Sequence, residues 1–218
     1  KYFKNHPKHF QAGLAHYGLG LCYFNMKNYV AAAKELESAA GSKAPPPVEA
    51  NLYLGQALMK KTPAVPKRAE RAFESSLISL GLSKTGLLNR EWGKKKVTEW
   101  LGKTKEAKKK QLAAEVVQGL LEATYKQQNW KSLVKKVDVF EGLIKSSRVE
   151  QRALALTGEA HEKLENYKEA AGAYKAAANL KGSDASEALF RLGFVSLNYL
   201  QDFEAAANYF NDFSDQYK

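Results

Sequence analysis

"LGLCYFNMKNYVAAAKELESAA", residues 19–40, places Gly20, Tyr23, Tyr29, Ala32, Leu36 and Ala39 at spacings that one continuous helix does not explain. The stretch divides at "MKNY". Residues 8–26 predict one apolar-faced helix and residues 29–40 a second. Asn28 stands where its side-chain oxygen can accept a backbone N–H left without a partner at the start of the second helix. Two helices joined by so short a turn run antiparallel and pack closely. Gly20 and Ala32 are small where such a crossing needs small residues, and Tyr23, Tyr29 and Leu36 fill the space around them.

The series recurs. In "LTGEAHEKLENYKEAAGAYKAAANL", Gly158, Tyr167, Ala170, Tyr174 and Ala177 keep the offsets of Gly20, Tyr29, Ala32, Leu36 and Ala39. In "LFRLGFVSLNYLQDFEAAANYFNDF", Gly193 is followed by Phe203, Ala206, Phe210 and Phe213, each one residue later. "LYLGQALMKKTPAVPKRAERAFESSL" aligns Gly55, Ala69, Phe73 and Ser76 across a longer turn containing Pro63 and Pro66. A further copy, "VVQGLLEATYKQQNWKSLVKKVDVF", keeps the two-helix shape with Tyr125, Trp130, Leu133 and Phe140 but lacks the small residues. Asn28, Asn166 and Asp202 are candidate N-caps, and "NYKE" (166–169) and "DASE" (184–187) have the spacing of capping boxes.

Composition agrees with helices. The chain has 218 residues, 44% hydrophobic and 26% charged, with six prolines, and strand-like alternation is hard to find. The single cysteine, Cys22, makes neither an internal disulfide nor a thiolate-rich metal site. No apolar run reaches the ~18–20 residues of a membrane-spanning helix. The first residue is Lys1, so a targeting segment can have been removed and its absence carries no weight.

The glycine, tyrosine, alanine, aromatic and alanine pattern resembles the tetratricopeptide repeat, a helix-turn-helix unit of about 34 residues. The resemblance covers residues 8–80 and 111–218 and implies an all-α, right-handed superhelical solenoid of antiparallel helix pairs, about ten to twelve helices in a single domain. The expected repeats span 8–42, 46–81, 111–147, 149–182 and 184–218, that at 111–147 being degenerate, with a basic, degenerate segment at 82–110.

In that family a partner polypeptide lies on the concave face made by the first helix of each pair. Counting from each glycine, the resemblance puts Leu14, Tyr17, Leu21, Phe24 and Asn25 of the first copy on that face, with Glu49, Leu52, Gln56, Met59 and Lys60 of the second. Arg152, Ala155, Glu159, Glu162 and Lys163 follow from the fourth copy, and Glu187, Phe190, Phe194, Leu197 and Asn198 from the fifth. The apolar groups of the first and fifth copies either open onto a groove or lie under an adjacent helix or a second chain; the sequence is compatible with both. The family's carboxylate clamp needs asparagines where this chain has Leu21, Gln56, Glu159 and Phe194, so that mode is not expected. The segments "FESSLISLG" and "YFNDFSDQY" are similar to repeats of bacterial envelope proteins, including coordinators of the Tol-Pal system and lipoproteins of β-barrel assembly. That likeness implies a periplasmic or envelope location.

Charge is uneven. Residues 90–136 hold 13 Lys and Arg against 5 Glu, a balance of +8 within a chain total of +11. Trp92 and Trp100 are interleaved with Lys94, Lys95, Lys96, Lys103, Lys105, Lys108, Lys109 and Lys110. Two readings follow. The lysines form a solvated face of ordinary helices, or they form a patch for a polyanion, nucleic acid or anionic membrane, with an acidic protein fitting the fold better. The tryptophans are expected to anchor their helices onto the array.

Catalytic patterns are missing. "GKT" at 102–104 lacks the first glycine of a phosphate loop, Val97 standing in its place, and "HEKLE" at 161–165 carries Glu165 where a zinc-binding helix needs its second histidine. His161 occupies a tyrosine position and is expected to pack. His6 and His9 could share a metal ion, but terminal histidines are commonly incidental. The expectation is a protein-interaction scaffold without cofactor, metal or enzymatic activity. Its last helix leaves the apolar face of Phe210, Phe213 and Tyr217 unfinished, which implies further repeats or docking on another subunit, a homo-oligomer included.

Overall fold

The computed structural model describes residues 11–42, 48–82, 90–180 and 182–217, without the side chains of Arg90 and Trp92. His6 and His9 lie outside the described residues. Among those described, every regular element is an α-helix and no strand occurs. The order is α1 (Ala12–Asn25), α2 (Tyr29–Ala40), α3 (Glu49–Lys60), α4 (Pro66–Ser79), α5 (Arg90–Lys103), α6 (Ala107–Lys126), α7 (Trp130–Val139), α8 (Glu141–Ile144), α9 (Glu150–Lys163), α10 (Tyr167–Asn179), α11 (Ala185–Asn198) and α12 (Phe203–Gln216). The hairpins are α1–α2, α3–α4, α6–α7, α9–α10 and α11–α12. The second helix of each packs on the first helix of the next, as α2 on α3, α4 on α6, α7 on α9 and α10 on α11. This is a solenoid.

Four of the five hairpins share one turn. Lys27, Gln128, Glu165 and Gln201 adopt the left-handed conformation, with φ of 59°, 56°, 61° and 57°. Each is followed by Asn28, Asn129, Asn166 or Asp202 and then an aromatic residue that opens the second helix. The side chains of Asn28, Asn129 and Asp202 accept the backbone N–H of Ala31, Ser132 and Ala205 at 3.2, 3.3 and 3.1 Å. Two expected caps differ. Asn166 accepts no backbone N–H of α10 and its amide instead lies 3.5 Å from His161 Nδ1; Asp184 makes no side-chain cap, its own N–H being donated to Gln151 Oε1 at 3.3 Å. The second hairpin departs from this turn, passing through a cis Thr62–Pro63 bond to Pro66 at the first position of α4.

The repeated glycines answer to one cause. A Cβ added to Gly20 would fall 2.6 Å from Leu36, to Gly55 2.6 Å from Phe73, to Gly158 2.5 Å from Tyr174, and to Gly193 2.9 Å from Phe210. In these four hairpins the large side chain of the second helix therefore rests on the backbone of the first, at a distance that only glycine permits. The third copy does have a small residue, contrary to the reading of its sequence. Gly119 stands two positions before the expected site, now filled by buried Leu121, and a Cβ there would lie 2.5 Å from the Phe73 ring. Phe73 thus fills the sockets of two successive hairpins.

Among the described residues, the basic segment contributes one helix, α5, that has no hairpin partner of its own. α5 leans on α7 and α8, while α4 and α6 pack directly on one another. Trp100 anchors it, as expected, with its indole N–H donated to the Leu80 carbonyl at 2.9 Å and its ring buried. A polar link joins the second and third hairpins: Lys136, buried at 2% exposure, is bound to the Glu70 carboxylate and to Ser132 Oγ at 3.1 Å, and Gln127 donates to Glu70 at 2.6 Å. One apolar core runs from Ala32 to Ala160 and a second from Ala155 to Val195.

Candidate partner-binding groove

α1, α3, α6, α9 and α11 are the first helices of their hairpins, so their outward positions succeed one another along the array. At the α1 end Phe24 meets Tyr29 and Tyr53 edge-on at 5.4 Å each, and the Lys60 ammonium lies over the Phe24 ring at 5.1 Å. Tyr17 is half-buried beside Glu49 and Tyr53; burial first, then these neighbours, raises its hydroxyl pKa. Leu21 is half-buried, and Leu14 is open at 53% exposure.

Charged pairs bridge the middle of the array. Arg148 is paired with Glu115, Arg152 lies 3.8 Å from Glu122, and Tyr125 donates to Glu159 at 2.6 Å. Arg191 contacts Glu162 at 3.8 Å and Glu187 at 2.8 Å, and Tyr174 donates to Glu162 at 2.9 Å. Burial, then the Glu162 charge, holds the Tyr174 hydroxyl far above the ordinary tyrosine range, so it remains a donor at any physiological pH. Arg152 and Glu159, two of the residues expected to meet a partner, are therefore already engaged with the neighbouring helix. A recess of about 440 Å³ lies between α3 and α6, lined by Gln56, Met59, Lys60, Gln118, Glu122 and Lys126 among others.

Phe190, Phe194 and Leu197 of α11 form an exposed apolar strip at the other end, at 42%, 36% and 39% exposure. Phe190 leans on Phe210 and Phe213 at 5.8 Å, and Phe194 meets Tyr199 at 6.2 Å. Of the positions counted onto the inner face, Leu52 and Ala155 are buried in the core rather than open.

The eight lysines of the basic stretch lie on α5, the short connection after it and the first turn of α6. Lys94 is bound to Asp138 and lies 3.6 Å from Glu141; the Asp138 hydrogen bond raises its pKa. Lys96 pairs with Glu99 at 3.0 Å. Lys95, Lys103, Lys105 and Lys108 are exposed, and Lys109 and Lys110 half so. Lys136, counted with this charge in the sequence, is an internal cation. No cluster of three metal-ligating side chains occurs among the described residues. His161 is half-buried, and burial lowers its pKa. No helix among the described residues is long and apolar enough to cross a membrane.

Three features escaped the sequence reading. Gly119 was out of phase with the other glycines, Asn129 precedes a tryptophan rather than a tyrosine, and the Lys136–Glu70 pairing spans 66 residues. Only Asn129 carried a local signal, the shared residue order of the turn.

No protein family matches the chain as a sequence, and no curated protein matches it. Solved structures do. MamA AMB-1 superposes with a TM-score of 0.63 at 17% identity, covering 94% of this chain and 91% of that one. MamA MSR-1 superposes at 0.62 with 16% identity, covering 94% and 96%. Both are tetratricopeptide-repeat structures. The repeated glycine sockets, the shared turn and these superpositions establish that the chain is, in its fold, a tetratricopeptide-repeat solenoid.

Proposed function

We propose that the chain is a protein-interaction scaffold that holds a partner polypeptide along its first-helix surface, with apolar anchoring at Leu14, Tyr17, Leu21 and Phe24 at one end and Phe190, Phe194 and Leu197 at the other. The observation that carries this reading is the exposed strip on α11, because contiguous apolar area on a helix row is what an interaction groove presents. Arg152 and Glu159 contribute as members of the charged rungs rather than as open donors. The similarity of residues 73–81 and 209–217 to bacterial envelope repeats supports a place in an envelope assembly, which fractionation of the source cells checks.

The test is comparative capture by the full-length protein and by Phe190→Ala/Phe194→Ala, with circular dichroism confirming equal helix content. Loss of a defined partner by the variant supports the groove; an unchanged set of partners removes it.

A second reading, binding of a polyanion, is favoured by the joint exposure of Lys95, Lys103, Lys105 and Lys108. Phosphate contacts release counterions, so affinity for a nucleic acid or anionic vesicle must fall by about tenfold or more between 50 and 200 mM salt. A fall below about twofold excludes it.

A further inference from the structure

We infer that this chain assembles head to tail, the acidic aromatic helix α12 of one copy seating in a basic apolar cleft beside α5 of the next. The charge of the sequence is polarised. Residues 192–217 contain no Lys, Arg or His and carry Asp202, Glu204, Asp212 and Asp215, whereas residues 94–110 carry eight Lys against Glu99 and Glu106.

The exposed arc of α12 puts an aromatic group among those acids. Phe203, Glu204, Ala207, Asn211 and Asp215 fall on one side at helical spacing and are all exposed. Phe203 is 65% exposed.

The receiving cleft has a volume of about 480 Å³ and lies between the end of α5, the first half of α6 and the α8 segment. Leu101, Ala114 and Leu143 line it, with Lys110 and Lys145 as its cations and Arg148, already paired with Glu115, at its edge; no acidic side chain lines it. None of the lining residues belongs to α11 or α12. An apolar floor with a cationic rim is the complement of an exposed phenylalanine flanked by carboxylates. Since the two surfaces differ, the contact is heterologous, and repetition of it builds rings or filaments rather than a closed two-fold dimer. It uses none of the groove residues proposed above, so the two readings stand or fall separately.

The experiment is light scattering on the whole chain at 50 and 300 mM salt, with two charge-reversal variants, Glu204→Lys/Asp215→Lys and Lys110→Glu/Lys145→Glu. Wild type is expected to exceed the 24.2 kDa monomer mass at low salt and to dissociate at high salt. Each variant alone is expected to be monomeric, with helix content unchanged by circular dichroism. Mixed together they are expected to assemble again, because each retains one of the two native surfaces and the two reversed surfaces are opposite in charge. A wild type that stays monomeric to about tenfold above its working concentration overturns the proposal. So does assembly that survives either reversal, or a mixture that stays monomeric while both variants are folded.

Discussion

Lys136 ends on the carboxylate of Glu70, so an ammonium almost sealed from water in α7 is neutralised by a residue of the preceding hairpin. Removing one member leaves the other as an uncompensated buried charge, the costly case for internal ion pairs. Lys136→Met is expected to destabilise the protein by about 3 kcal/mol in urea unfolding. Adding Glu70→Gln to that variant is expected to cost less than the sum of the two single changes, with a coupling of about 1 kcal/mol or more.

The same pair sets a pH dependence. Burial alone would raise the Glu70 carboxyl, but the hydrogen bonds from Lys136 and Gln127 outweigh it and hold the group below its ordinary value. A carboxyl depressed in the folded state stabilises above its unfolded value, and that contribution is lost as pH falls through the folded one. Wild type is expected to lose stability from about pH 4.5 downward more steeply than Glu70→Gln. Parallel unfolding curves across that range would exclude the assignment.

Gly158 and Gly172 are separated by one helical turn-over of the fourth repeat but make opposite predictions. Gly158→Ala drives a methyl into the Tyr174 ring and is expected to cost about 1–3 kcal/mol. Gly172→Ala meets nothing within 4 Å on the exposed side of α10 and is expected to stabilise by about 0.5–1 kcal/mol. Thermal unfolding of the two variants reads both signs.

Identical turns with different caps allow a matched comparison. Asn129→Ala removes an acceptor from the Ser132 N–H and is expected to cost about 1 kcal/mol. Asn166→Ala, whose side chain accepts no backbone N–H of its helix, is expected to cost less than half as much. Equal losses in denaturant unfolding would mean that both caps act alike in solution.

His161 is half-buried where a tyrosine would stand, and desolvation disfavours its charged form. Its titration by NMR is expected to have a midpoint below about 6.5, and the stability it permits is present above that pH and falls as pH drops through the folded value. His161→Phe is expected to flatten the profile there.

The fold was legible because its rule is local. A glycine, an Asn or Asp cap and a large side chain some 16 or 17 residues after the glycine recur along the chain, as in Gly20 to Leu36 and Gly193 to Phe210. What was not legible depends on neighbours far away in sequence. Asn166 has the cap position and the cap residue, yet its amide lies beside His161 instead; Gly119 looked unrelated because the ring that needs it belongs to another hairpin. The groove was harder still. Positions of the first helices say which side chains point outward, but whether Arg152 waits for a partner or pairs with Glu122 depends on the spacing between two repeats, which no single repeat encodes.

Phe73 touches Gly55 and Gly119 at once, so the spine closes directly from α4 to α6 while the polypeptide between them wanders off to form α5. A graft point of this kind lets evolution lengthen, trim or replace the excursion without re-registering the hairpins on either side. New recognition chemistry can then be tried out there while the older architecture keeps its shape.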